Sequence, residues 1–502
     1  MNRPLRHSRE TEALARLLQP RDVYDWLVTV GYFPESYILP PCFCVAKHPS
    51  YGKYFSPRRG GKLKPTPSQV CDVHFPKTEL TDRTFAILHP ELHSDIATEI
   101  ATHWEAILDV LFDPQKRVYT YSFPIPLSSA TPGQVGSLRA GRLIYEWIEM
   151  VENDLAEEAY AYKYLVLTDV KNFYPSVYTH SIAWAMHTRS VIRAPGNRHK
   201  ESFLGNRLDK LFQYANDECT NGLPIGPAVS DLIAELILCA VDSRLSACLQ
   251  KMGVLAVRFK DDYRFLCKTR EDCATVTKHL QKGLKEFNLL LNEDKTQIAS
   301  LPEGIFREWV SRYHIIRPSK RRRLTFREFR ELYLGVLRID QDVPGTGIVD
   351  RFIADVIDCS YRPRFPVSSA DVDKTISLLL LLADRRIKAF PRILGLVEAI
   401  MTASGRRRTV ETVERYLNKM LLGLLQDAEE NRYLISWILY FLKSNGLSVK
   451  GTYLGDDPVL RSLESNRSHL FPDAKDFRLF RGLRATRHRG SLLRHTDVFK
   501  TQ

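Results

Sequence analysis

The stretch "VRFKDDYRFLC", residues 257–267, constrains this chain more than any other. It sets Asp261 and Asp262 side by side between two apolar, β-rich runs. Adjacent carboxylates repel, and each is costly to bury unless a positive charge lies between them. The segment is therefore either an exposed turn or a place that expects a metal ion. The flanking runs read as the two strands of a hairpin with the aspartates at its tip.

Other segments fall into order around this hairpin. The run "KYLVLTDVKNFYPSV" begins as a short strand at Tyr164 to Leu167 and reaches Asp169, with Phe173 and Tyr174 just beyond. "NGLPIGPAVSDLIAELILCAVDSRL" opens with a Gly/Pro turn and becomes a long helix. Pro227 suits the first turn of that helix, and Leu232, Ile233, Leu236, Ile237, Val241 and Leu245 make an apolar stripe along it. After the hairpin, a helix is expected over 271–287, then "NLLLNEDKTQIAS" as a strand with Lys295 just past it. Upstream, residues 95–112 carry helical spacing at Ile96, Ile100, Trp104, Leu108 and Leu111. A Pro- and Ser-rich link leads from there to a second helix, "LRAGRLIYEWIEMVENDLAEEA".

A chain of 502 residues is too long for one core. After about residue 315 the pattern changes to repeated apolar helices, which read as packed helix pairs without a strict period. The expected division is 1–315 and 316–502. The N-terminal stretch "PSYGKYFSPRRGGKLKPTPSQ" reads as a basic loop or extended arm. The C-terminal stretch is basic at Arg481, Arg484, Arg487, Arg489 and Arg494, which suits either a solvated tail or a nucleic-acid contact. A formal net charge of +13 fits a polyanionic partner. No apolar run approaches the roughly 20 residues that span a bilayer, so no membrane is expected. The opening "MNRPLRHSRE" lacks the apolar core of a secretory signal. Nine cysteines include no CxxC pair, and Cys42 and Cys44 are too close in sequence for a zinc site. They read as reduced thiols of a cytoplasmic protein.

Joining nucleotides calls for two divalent ions roughly 4 Å apart. One lowers the pKa of the attacking hydroxyl, and the other holds the triphosphate. Magnesium and manganese want carboxylate oxygens, few of them, with substrate phosphates completing the shell. Carboxylates from two neighbouring strands provide that set, and the ions' charge offsets the repulsion between the aspartates.

The ordered set resembles the palm of reverse transcriptases. "DVKNFYPSV" looks like their first metal motif and "GLPIGPAVSDL" like their second motif, which faces template and nucleotide. "FKDD" is similar to their Tyr-x-Asp-Asp box, with Phe259 in place of tyrosine, and "LNEDKT" resembles the later motif whose lysine lies near the triphosphate. The resemblance implies metal ligation by Asp169, Asp261 and Asp262, and charge neutralisation by Lys295. Tyr174 falls at the steric gate under the sugar, with Phe173 pointing away. Pro224 and Gly226 belong to the nucleotide-facing motif. Arg139 and Arg142 are candidate triphosphate clamps.

Ile225 stands where template-copying relatives carry glutamine, and a long helical region replaces an obvious thumb. This layout, with "YTHSIAWAMHT" after the first motif, resembles the abortive-infection reverse-transcriptase-like polymerases of the prophage-encoded type. The resemblance implies an α+β fold: right-hand fingers and palm, then an all-α HEAT-like domain. It implies untemplated DNA synthesis primed by a protein tyrosine, two Mg2+ or Mn2+ ions, deoxynucleoside triphosphates, a covalently attached single-stranded product and a homo-oligomer of three or more, acting against phage. Tyr51 is the leading primer candidate, with Tyr54, Tyr32 and Tyr37 behind it. A template-copying reverse transcriptase and a non-catalytic nucleic-acid scaffold stay open as alternatives.

Overall fold

The computed structural model describes residues 2–48, 63, 65–77, 81–136, 139–319, 323–367, 370–474, 476–487 and 492–497. Its strands are β1 (Phe43–Lys47), β2 (Cys71–Pro76), β3 (Asp82–Ile87), β4 (Val118–Thr120), β5 (Tyr164–Asp169), β6 (Leu255–Phe259), β7 (Asp262–Cys267), β8 (Gln297–Ser300) and β9 (Arg478–Phe480). Five of them form one sheet in the order β4-β6-β7-β5-β8. The hairpin expected at the two aspartates is β6–β7. Its partner strand β5 runs antiparallel to β7, with Asp169 opposite Asp262. Residues directly opposite in an antiparallel pair lie on one face, so the register brings these two aspartates together.

The long helix Ala228–Met252 packs across this sheet together with Arg270–Glu286. Pro227 is its N-cap, and Gly253, in the left-handed region at φ 63°, ends it. The helix read over 95–112 is two helices, Pro90–Thr102 and Trp104–Leu111, because His103 leaves helical geometry at φ −110° and ψ 30°. The strand expected at "NLLLN" is reduced to a bridge between Leu291 and Val170. Leu289 and Leu291 are buried while Leu290 is exposed, and the continuous strand of this segment is β8, beyond Lys295.

From Phe326 onward the described residues are mostly helical, including Val372–Arg385, Phe390–Ser404, Arg407–Leu424 and Arg432–Ser444. Their apolar faces close a second core. That core also takes in Tyr32, Phe33, Ile38, Phe43, Val73 and Phe85 from the N-terminal part of the chain. β1 pairs with β9, and Tyr433 Oη donates to the Tyr37 carbonyl at 2.7 Å. Apolar contacts therefore run across residue 315: the segment holding β1 to β3 shares its core with the helical half. The basic C-terminal stretch is docked at two points, with Leu492 and Leu493 buried and Arg494 5.4 Å over the Tyr361 ring; Arg489 lies outside the described residues. All nine cysteines are free thiols, as expected. Among the described residues no helix is long and apolar enough to cross a membrane.

Candidate active site

The ends of β5 and the β6–β7 hairpin open onto a cleft of about 510 Å³. Asp169, Phe173, Tyr174, Gly226, Asp261 and Lys295 all line it, so the tertiary fold gathers residues that lie far apart in sequence. The volume is in the usual range for a small-molecule site.

Asp169 is 6% exposed. Its Oδ2 accepts a hydrogen bond from Lys295 Nζ at 2.7 Å, and its Oδ1 is buried with no hydrogen-bond partner. A buried carboxylate oxygen without a donor is costly. Asp261 occupies the hairpin turn, where its carbonyl accepts from Val170 N–H at 3.3 Å. Burial raises the Asp261 pKa above the usual aspartate range, and Asp169 adds to the rise. Asp262 is exposed and, unlike Asp169 and Asp261, is not among the residues that line the cleft. The protein packed around its carboxylate, together with Asp261 and Asp169, pushes its pKa up to about 6. These are negative groups short of positive charge.

This donor set fits divalent metal ions. Among the described residues no group of three His, Cys, Asp or Glu side chains forms a ready-made metal cage. Magnesium sites of this chemistry use one or two carboxylates and complete their shell with substrate phosphates. Asp169 through its unpartnered Oδ1, with Asp261 and Asp262, would hold the ions. Bound ions would neutralise triphosphate charge and acidify the attacking hydroxyl.

Lys295 sits in a single turn, Glu293–Lys295, just before β8, placed there because Asn292 N–H donates to the Asp169 carbonyl at 2.9 Å. Its side chain is 69% exposed, and the hydrogen bond to Asp169 raises its pKa. Phe173 is buried in the core under the sheet. Tyr174 is half-buried at the cleft, and its hydroxyl donates to Asp231 in the first turn of the long helix. Gly226 has φ 128°, a conformation that side chains rarely adopt, and an added Cβ would lie 3.1 Å from Pro34 Cβ. Ile225 lines the cleft beside it, while Pro224 is buried and does not.

Arg142 is not brought to the cleft. It pairs with Glu146 one helical turn on, which also meets His7, beside Tyr121. Arg139 opens the same helix, and its side chain lies outside the described residues. The cations that face the cleft are Lys77, Arg83, Lys260 and Lys295. Lys77 and Arg83 come from the β2–β3 hairpin, and neither has an ion-pair partner among the described residues. The hairpin is fixed to the second motif by Ala86 N–H donating to the Ile225 carbonyl at 2.8 Å. Sequence reasoning missed these two residues and Asp231. Nothing in "TELTDRTFAI" separates Arg83 from an ordinary exposed strand arginine.

Residues 125–336 match the reverse transcriptase (RNA-dependent DNA polymerase) family. That stretch contains all four motifs and the five-stranded sheet apart from β4. The chain carries a reverse-transcriptase-type domain over these residues. Similar solved structures include apo telomerase from Candida tropicalis lacking its C-terminal domain, at 12% identity over 48% of this chain and 52% of that one, TM-score 0.33. The fuller apo telomerase from the same organism gives 10% identity over 78% and 71%, TM-score 0.34. Telomerase from Candida albicans with a fragment of telomeric RNA gives 11% over 78% and 68%, TM-score 0.30. This chain spans about half the length of the first of these. No curated protein matches the sequence.

Proposed function

We propose that this protein is a metal-dependent DNA polymerase that extends a strand from one of its own tyrosines without copying a template, in defence against phage. The observation that carries the polymerase reading is the buried, unpartnered Oδ1 of Asp169, set in register with Asp262 at a cleft where Lys77 and Arg83 have no ion-pair partner among the described residues. Lys77 and Arg83 would take the triphosphate from the fingers side, and Lys295 would leave Asp169 to meet the departing pyrophosphate. Tyr174, anchored on Asp231, would hold its ring under the sugar and select deoxynucleotides. The absence of a template and the defence role rest on the resemblance of the motifs, on Ile225 and on the helical half, read as HEAT-like over 316–502. Oligomer assembly and a cytoplasmic setting belong to the same reading.

The primer candidates differ in access. Tyr32 is 2% exposed, and its hydroxyl donates to the Leu88 carbonyl at 2.5 Å, so it does not serve. Tyr37 lines the cleft, with Lys388 of the helical half 4.2 Å from its ring. Tyr51 and Tyr54 lie outside the described residues. The test is incubation with Mn2+ or Mg2+ and one labelled deoxynucleotide, without template or primer, beside Asp261→Asn. Label that stays on the boiled protein, is lost in the variant and is released by protease is the expected result. Peptide mapping would then decide among Tyr51, Tyr54 and Tyr37. Incorporation only when a primed RNA template is added would overturn the untemplated reading and favour template copying. No incorporation under either condition would favour the scaffold.

A further inference from the structure

Beneath the hairpin lies a group of charges almost sealed from water. Arg258 on β6 is 0% exposed, and Glu235 and Asp242 of the long helix are buried against it. Arg258 Nη1 and Nη2 reach Glu235 at 3.0 and 2.8 Å, and Nε and Nη2 reach Asp242 Oδ2 at 3.1 and 2.8 Å. Lys116, also buried, brings a second positive charge to the group through Cys239 Sγ at 3.1 Å. Tyr263 Oη donates to Asp242 Oδ1 at 2.9 Å. Two positive and two negative groups cancel. Replacing such clusters by apolar side chains often leaves stability unchanged or improved, so their presence calls for something besides stability to explain it.

What this cluster holds is the turn that carries Asp261. Arg258 Nη1 donates to the Lys260 carbonyl at 2.9 Å. Lys260 N–H donates to Ser122 Oγ at 2.7 Å, and Ser122 Oγ donates to Glu235 Oε2 at 3.0 Å. Both backbone groups of Lys260 are therefore tied to the same buried pair. Lys260 has φ 52°, the left-handed region that a residue with a side chain occupies at a cost. The next residue is Asp261. A turn in this conformation persists where its surroundings over-determine it, and here they do so through the two peptide groups that flank the Lys260 Cα.

We propose that Ser122, Glu235 and Arg258 are positioning residues that set the Lys260–Asp261 turn and so aim the Asp261 carboxylate at the metal position beside Asp169. This rests on the polymerase reading for its purpose, but its test does not need incorporation. Ser122→Ala removes the acceptor of Lys260 N–H and leaves the Arg258 ion pairs in place. Mn2+ binding to the full chain, measured by titration calorimetry, is expected to weaken about tenfold, the loss of one hydrogen bond to a charged network. Ser122→Thr is expected to restore it, while the thermal midpoint of both stays near that of the wild type. Where incorporation is measurable, kcat should fall with Ser122→Ala and KM for the nucleotide should hold within about twofold, because the turn does not touch the sugar or base. Glu235→Gln, which keeps the shape and removes the charge, should weaken Mn2+ binding in the same direction. Wild-type Mn2+ affinity in folded Ser122→Ala and Glu235→Gln would overturn the proposal. Wild-type protein that binds Mn2+ in this graded way but adds no nucleotide would overturn the polymerase reading alone.

Discussion

Asp169 at the end of β5 and Asp355 in the helical half are both buried aspartates, and their surroundings differ in one respect. Asp355 accepts from Arg317 at 2.9 and 3.0 Å, from Arg351 at 3.3 Å and from Tyr313 Oη at 3.1 Å. Asp350, nearby in the chain, meets Arg392 at 2.6 Å and Arg386 at 3.6 Å. Burial alone would raise the Asp350 pKa, but these arginines outweigh it and hold the pKa below the usual range. Asp169 has one exposed lysine on one oxygen and nothing on the other. Asp261 and Asp262, beside it, are pushed up. Asp350 and Asp355 are neutralised by arginines that join the helices, whereas the carboxylates at the hairpin are left short of positive charge. Asp340 in the helical half also has a buried Oδ1 without a hydrogen-bond partner and a raised pKa, but at the hairpin three carboxylates stand side by side, and it is there that the fold has room for a charge it does not itself supply.

The strongest way to break the comparison is to neutralise one carboxylate of each kind. Asp261→Asn or Asp169→Asn should lower nucleotide incorporation on the order of a thousandfold, with the urea midpoint unchanged or raised. Asp355→Asn should do the opposite: activity per folded molecule holds, and stability falls by about 3 kcal/mol because Arg317 and Arg351 lose their partner. Equal loss of stability in both sets would erase the distinction.

A smaller effect is expected at Lys295. Lys295→Met should cut the rate between about tenfold and a hundredfold in single-turnover assays, since the lysine neutralises charge that develops late. Next comes the contrast among arginines. Arg83→Ala should raise the nucleotide KM about tenfold, the cost of one charge-assisted hydrogen bond, while Arg142→Ala should leave KM unchanged because Glu146 already occupies it.

The mildest test is of pH. Asp262 keeps its proton up to about pH 6 in the fold and loses it within the ordinary aspartate range when unfolded. As pH rises toward 6, the folded state therefore binds more protons than the unfolded one, and stability from this group falls with pH. The loss is complete above 6. Divalent ions compete with that proton, so the rise in melting temperature on adding Mn2+ should be larger at pH 7.5 than at pH 5.5. In Asp262→Asn that pH difference should shrink.

The hairpin, the strand ending near Asp169, the long helix after "GLPIGP" and the helical second half were all legible in the sequence. Each is announced by local periodicity or by a turn residue, and local signals survive in a linear text. The order of Asp169, Gly226, Asp261 and Lys295 was legible for the same reason. Which cations serve the cleft was not: Arg142 and Arg83 look alike in sequence, and only the fold spends one on Glu146 and turns the other toward Tyr174 and Asp261. The same holds for Arg258: nothing in "VRFKDD" marks its partners, and only the long helix brings Glu235 and Asp242 against it. The joining of residues 32–87 to the helical core was likewise set by pairings such as Phe43 with Phe480. Sequence alone determined which groups are charged and which segments are regular. Tertiary structure decided which charges are cancelled, because neutralisation depends on distance in space between residues hundreds of positions apart, and no local pattern encodes it.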